Sequence, residues 1–175
     1  MSGPWPQLHM RRALSDLPAP VVPDGYALRP LSPADLPIWV ELIRRNGELG
    51  VWSAERAASL FAGQMDLAAS FVVTRGDAAV ATAQLNPHGR DEYAPTPELG
   101  WVAADPAYRG RGLGRAVCLA VLGAAGAAGH REIFLRTDDH RRPAIGLYLS
   151  LGFVPWLRDP TSADRWRAIE EGQSS

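Results

Sequence analysis

The chain has 175 residues, enough for one domain with a buried core, and its 46% hydrophobic and 21% charged residues mark it as globular, not disordered. Its 18 basic side chains, all arginine, nearly cancel 19 acidic ones, which argues against a broadly nucleic-acid-binding surface. The single cysteine, Cys118, excludes an intramolecular disulfide and a cysteine zinc cluster, and no apolar run is long enough for a membrane-spanning helix, so a reducing, cytoplasmic setting is expected.

Residues 1–24 are proline-rich and lack the continuous apolar region of a secretory signal. They read as an extended arm laid over the domain or over a neighbouring subunit. The domain proper is expected over residues 25–170, with a disordered tail at 171–175. Alternation makes GYALRPL, residues 25–31, the first strand. A helix follows, with Ser32 as its cap, Pro33 in the first position and Leu36, Trp39, Val40 and Ile43 as its apolar stripe. A second helix starts after Ser53 and stops at Gly63. Residues 71–85 read as a hairpin turning at Arg75, Gly76 and Asp77.

A long polar loop carries His88, Asp91 and Glu92 and reads as a solvated face whose acidity mildly favours a cationic partner. The strand ELGWVAA then ends at Asp105-Pro106 and leads through a glycine-rich segment into a helix near residues 112–128. REIFLRT is a buried strand, and RRPAIGLYLSLG a short helix with Pro143 near its start and Gly152 past its end. FVPWL and RWRAIEE read as two closing strands. The resulting order describes an α/β chain with a mixed sheet of six or seven strands and helices on both faces.

The glycine segment RGRGLG, residues 109–114, is the most informative stretch. Glycine permits positive φ, lets a ligand approach the backbone and leaves amide N–H groups exposed. A helix starting there adds unpaired N–H groups and the positive end of its dipole, so the segment suits a pyrophosphate. Arg109, Arg111 and Arg115 could contribute charge-assisted contacts. A Walker loop needs a lysine, and the chain has none. A dinucleotide fingerprint needs glycine in its sixth place, where counting from Gly110 finds Arg115 and counting from Gly112 finds Val117.

The segment instead resembles the Gln/Arg-x-x-Gly-x-Gly/Ala signature of the GNAT acetyltransferase superfamily, here Arg109 to Gly114. A second stretch is similar to that family's later motif: Ala144 and Tyr148 in Ala-x-x-x-Tyr, then Leu151-Gly152-Phe153. The resemblance implies the GNAT fold and acetyl-CoA as co-substrate, with no metal. It implies pantetheine pairing with backbone at Val102, Ala103 and Ala104, and pyrophosphate on the amides of Arg109, Gly110, Arg111, Gly112, Leu113, Gly114 and Arg115. Tyr148 aligns with the tyrosine that many relatives use to protonate the departing thiolate. Glu98, eleven residues ahead of Arg109, stands where some relatives place a base. Regular alternation would put Glu98, Gly100 and Val102 on one face. Arg141 departs from the family pattern, which often has Asn there.

The implied activity is direct acetyl transfer to a primary amine, on a small molecule, a protein or a peptide, without nucleic-acid or membrane partners. A non-catalytic acyl-CoA sensor or scaffold and an enzyme using a longer acyl chain are the alternatives, and a homodimer is left open. Cys118 reads as core, and neither His130 nor His140 has partners at metal-ligand spacing.

Overall fold

The computed structural model describes residues 6–63, 65–88 and 95–173. Seven strands form one sheet: β1 (Leu8–Ala13), β2 (Ala27–Pro30), β3 (Asp66–Arg75), β4 (Ala78–Asn86), β5 (Glu98–Ala104), β6 (Glu132–Thr137) and β7 (Val154–Trp156). The helices are α1 (Leu36–Asn46), α2 (Ala54–Gly63), α3 (Leu113–Ala127), α4 (Arg142–Ser150) and α5 (Ser162–Gln173). Strand order across the sheet is β2-β3-β4-β5-β6-β1-β7. Only the β5–β6 junction is parallel among these neighbours.

Two apolar layers sandwich the sheet. On one side Trp39, Leu42 and Ile43 of α1 and Leu60 and Phe61 of α2 pack on Val72, Ala79 and Ala103. On the other, Leu113, Val117 and Val121 of α3 join Tyr148 of α4 and Trp166 and Ile169 of α5 over Val73, Leu99 and Leu135. Successive residues Val72 and Val73 thus serve opposite layers, as a two-residue strand period demands. The helices on both faces and the mixed seven-stranded sheet agree with the expected fold.

Two expectations about the ends are corrected. The first strand of the sheet is β1, inside the stretch read as an arm. It runs antiparallel to both β6 and β7, opposite residues 132–137 and 154–156. Leu8 and Met10 are fully buried there, so tertiary pairing overrides a local composition of arginines and flanking prolines. RWRAIEE, read as a closing strand, lies in α5, which extends into the expected tail as far as Gln173. Trp166 and Ile169 stand three apart, and both are buried against the same layer, which is a helical spacing.

The edge strand β2 is tied to the start of α1 through Asp35. Arg29 of β2 donates to both carboxylate oxygens at 2.7 and 2.8 Å, while the N–H and hydroxyl of Ser32 donate to Oδ2 at 2.8 and 2.9 Å. The hydrogen bonds from Arg29, foremost, hold the Asp35 carboxyl down at about 2. Because the folded value lies below the unfolded one, this stabilisation is complete above about pH 4 and lost as pH falls toward 2. Asp35→Asn is expected to cost about 1–2 kcal/mol at pH 7, discounted because Arg29 is partly exposed. Urea unfolding of both proteins should show the difference shrinking between about pH 4 and pH 2.

Candidate active site

The site lies where the two parallel strands part. Parallel register between β5 and β6 is confined to Glu98 opposite Phe134 and Leu99 opposite Leu135. Beyond that point, carbonyls of β5 meet side chains. Arg141 reaches the Val102 oxygen at 3.4 Å and Asn46 Nδ2 donates to the Ala104 oxygen at 3.0 Å. Parting parallel strands open a crevice at their carboxyl ends, the usual place for a ligand in such sheets.

A cavity of about 410 Å³ occupies this crevice. Val102, Ala103 and Ala104 line it, together with Arg109, Gly110, Gly112, Leu113, Gly114 and Arg115. Arg111 does not line it; its guanidinium lies 5.8 Å from the centre of the Tyr108 ring. Gly110 and Gly112 both have φ of +75°, the left-handed region that glycine enters without strain. Gly112 caps α3, so the first N–H groups of that helix face the cavity end without intrahelical partners.

Charge is concentrated at the crevice. Arg109 and Arg141 converge on Glu48, with N–O distances of 2.9 and 3.2 Å. Arg115 donates to the carbonyl and hydroxyl oxygens of Ser150 at 3.3 Å. Glu48 and Asn46 went unnoticed in the sequence, since a Glu in a short polar loop and an Asn at a helix end carry no motif. Arg141 stood out only as a departure from the family pattern, and it proves to border both cavities of the site.

A second cavity, about 620 Å³, abuts the first at Val102 and Arg141. Glu98, Tyr148 and Arg136 line it along with Gln84 and the apolar side chains of Leu49, Leu60 and Trp101. Glu98 is 7% exposed and accepts a 2.7 Å hydrogen bond from Arg136 Nε, a pairing that fixes the carboxylate. Tyr148 is 2% exposed, and burial, foremost, pushes its phenol well above the usual range, so the group stays protonated at neutral pH. Cys118, fully buried, is pushed up to about 12 by burial and is inert as a nucleophile.

The expected face-sharing of Glu98, Gly100 and Val102 does not occur. Gln84 pairs with Gly100 but Thr82 with Ala103, so β5 carries one residue more than β4 at this point. Trp101 takes φ +49°, a left-handed value in a non-glycine residue, and its ring packs edge-on to Trp52 at 4.6 Å and Trp39 at 6.5 Å. The bulge reverses the alternation, so Leu99 and Val102 share the α3 layer while Trp101 and Ala103 face the α1 layer. His88 is exposed at the rim of the second cavity. Asp91 and Glu92 lie outside the described residues. Among the described residues no helix is long and apolar enough to cross a membrane, and no cluster of His, Cys, Asp and Glu could hold a metal ion.

The Acetyltransferase (GNAT) family matches residues 36–153. A mycothiol acetyltransferase of Thermobispora bispora is 36% identical over 162 residues, which span 86% of this chain and 54% of that protein. The chain spans about half the length of the curated relatives it matches over most of its own. In fold it is similar to a GCN5-related N-acetyltransferase from Sphaerobacter thermophilus, with a TM-score of 0.70 and 24% identity, over 87% of this chain and 50% of that one. It is also similar to the ribosomal-protein-S18-alanine N-acetyltransferase of Escherichia coli, with a TM-score of 0.63 and 25% identity, over 75% and 79%.

Proposed function

This chain belongs to the GNAT acetyltransferase family, and on that premise we propose that it binds acetyl-CoA in the crevice between β5 and β6 and passes the acetyl group directly to a primary amine in the second cavity. The observation that carries the reading is the meeting of the two cavities at Val102 and Arg141, with the glycine segment and the start of α3 lining one and the buried Glu98 and Tyr148 lining the other. The pyrophosphate sits on the amides at the start of α3, and Arg109, Arg115 and Arg141 supply positive charge around it. Pantetheine runs along Val102 to Ala104.

The amine nitrogen attacks the thioester carbonyl, forming a C–N bond. Its surplus proton passes to the Glu98 carboxylate, directly or through a water. Collapse of the tetrahedral adduct breaks the C–S bond, and Tyr148 gives its proton to the thiolate as charge develops. Holding the reactants in adjoining cavities replaces a bimolecular encounter with an oriented one. The relatives named mycothiol acetyltransferase support a small-molecule amine as the acceptor class. A cytoplasmic location fits such a reaction.

The test is release of free thiol from acetyl-CoA on addition of a panel of primary amines. Amine-dependent thiol release by the wild type is expected; binding of acetyl-CoA with no turnover of any amine would favour a sensor. In the same assay Glu98→Gln should lower kcat/KM about 10²-fold near neutral pH. The deficit should narrow as pH rises toward the ~10 of an alkyl ammonium, because more acceptor is already neutral and needs no base. A deficit that is constant with pH would remove Glu98 from the proton path.

A further inference from the structure

The second cavity is lined by a buried polar residue that no described residue satisfies. Gln84 is 1% exposed, and neither its amide nitrogen nor its amide oxygen has a hydrogen-bond partner among the described residues. It lies mid-strand in β4, opposite Gly100 and one residue from the bulge, and it is among the residues lining the cavity that Glu98 and Tyr148 share. Buried polar groups are almost always paired, and a carboxamide left with both ends open is a costly exception that calls for an explanation. Neighbouring polar groups do not supply one. The hydroxyl of Ser70 is used by the Ser70–Asp66 and Leu85–Ser70 hydrogen bonds, Thr82 donates to the Phe71 oxygen, and Glu98 is held by Arg136.

We propose that Gln84 is the specificity point of the acceptor site: it recognises an uncharged group on the acceptor that offers a hydrogen-bond donor and an acceptor side by side. This deepens the reading of the second cavity as the amine site and rests on it. A carboxamide presents N–H and C=O at adjacent positions, so its complement is another primary carboxamide or a pair of neighbouring hydroxyls. A carboxylate or an ammonium would satisfy only one end of Gln84. The amine end of the acceptor lies toward Glu98, and the recognised group lies at Gln84, which stands opposite Gly100 between Glu98 and Val102. The charge in the cavity is carried by side chains with partners of their own. Glu98 pairs with Arg136, Arg141 with Glu48, and Asp138 receives Gln7 at 3.4 Å.

The probes are three sets of primary amines of matched length: ω-amino carboxamides, ω-amino vicinal diols and plain alkylamines. The wild type is expected to acetylate at least one of the two polar sets about tenfold or more faster, in kcat/KM, than the alkylamines, because a site built for hydrogen bonding rejects an analogue that leaves it unpaired. Whether the carboxamide or the diol set leads identifies the source of the chemistry. In Gln84→Leu the three sets should level, with acetyl-CoA affinity unchanged by calorimetry. Equal rates for all three sets in the wild type, or a preference that survives Gln84→Leu, would overturn the assignment. Thermal melting provides a readout that needs no turnover. A group held unpaired for a ligand is relieved by Leu, so the variant should melt at or above the wild type. A variant melting several degrees lower would make Gln84 a structural residue and end the proposal. Failure of the wild type to bind acetyl-CoA at all would be the separate failure of the acetyltransferase reading.

Discussion

Tyr148→Phe is expected to lower kcat by about 10²- to 10⁴-fold while leaving acetyl-CoA affinity and the fold intact. The expectation follows from where the phenol sits. Tyr148 is buried in the α3 layer, packed edge-on to Phe153 at 6.1 Å, and lines the cavity that meets the crevice between β5 and β6 at Val102. Burial keeps the group protonated, which suits an acid that must donate to a thiolate and be useless as an anion. Phe keeps the ring and its packing, so only the proton is removed. Single-turnover kinetics separate the outcomes, since a loss confined to the chemical step is the signature of the acid. A variant with full kcat would return Tyr148 to the core.

Gly112→Val is expected to weaken acetyl-CoA binding at least about tenfold and to cost about 1–3 kcal/mol of stability, because a β-branched residue is forced to a left-handed φ. The geometry is specific about the cause. A Cβ built on Gly112 would meet no atom within 4 Å beyond its chain neighbours, so it is φ of +75°, not crowding within the protein, that requires glycine. Gly114 is a built-in control. Its Cβ would touch Leu147 at 3.5 Å, an ordinary contact, and its backbone is helical, so Gly114→Ala should bind acetyl-CoA as the wild type does. Calorimetric affinities of the two variants, with urea unfolding alongside, decide the matter. Equal losses in both would mean that the segment acts through α3 packing and not as a cradle.

Much of this site was legible because backbone conformations leave residue-level marks. Glycines at positions 110 and 112 announced the left-handed turns, and the helix that follows carries its apolar side chains at helical spacing. The strand ending at Asp105-Pro106 and the short helix carrying Tyr148 were marked in the same local way. Long-range features left no such mark. The strand that completes the sheet, β1, has two arginines in six residues, and only its placement between β6 and β7 makes it a strand. The bulge at Trp101 depends on aromatic rings from α1 and the loop before α2, so no local pattern could reverse the alternation after Gly100. Gln84 follows Thr82 in β4 and carries no motif of its own, so whether it is paired could only be learned from the fold. Arg136 and Glu48 acquire meaning only through partners 38 and 61 residues away.

Calorimetric titration of the protein with acetyl-CoA, alongside an acetyl thioester that lacks the nucleotide, tests the proposed pyrophosphate cradle most directly. Saturable one-to-one binding of acetyl-CoA is expected, with the nucleotide-free thioester far weaker because the glycine segment contributes nothing to it. Equal binding of the two, or no binding of acetyl-CoA, would contradict the assignment of the glycine segment and of the crevice beside it.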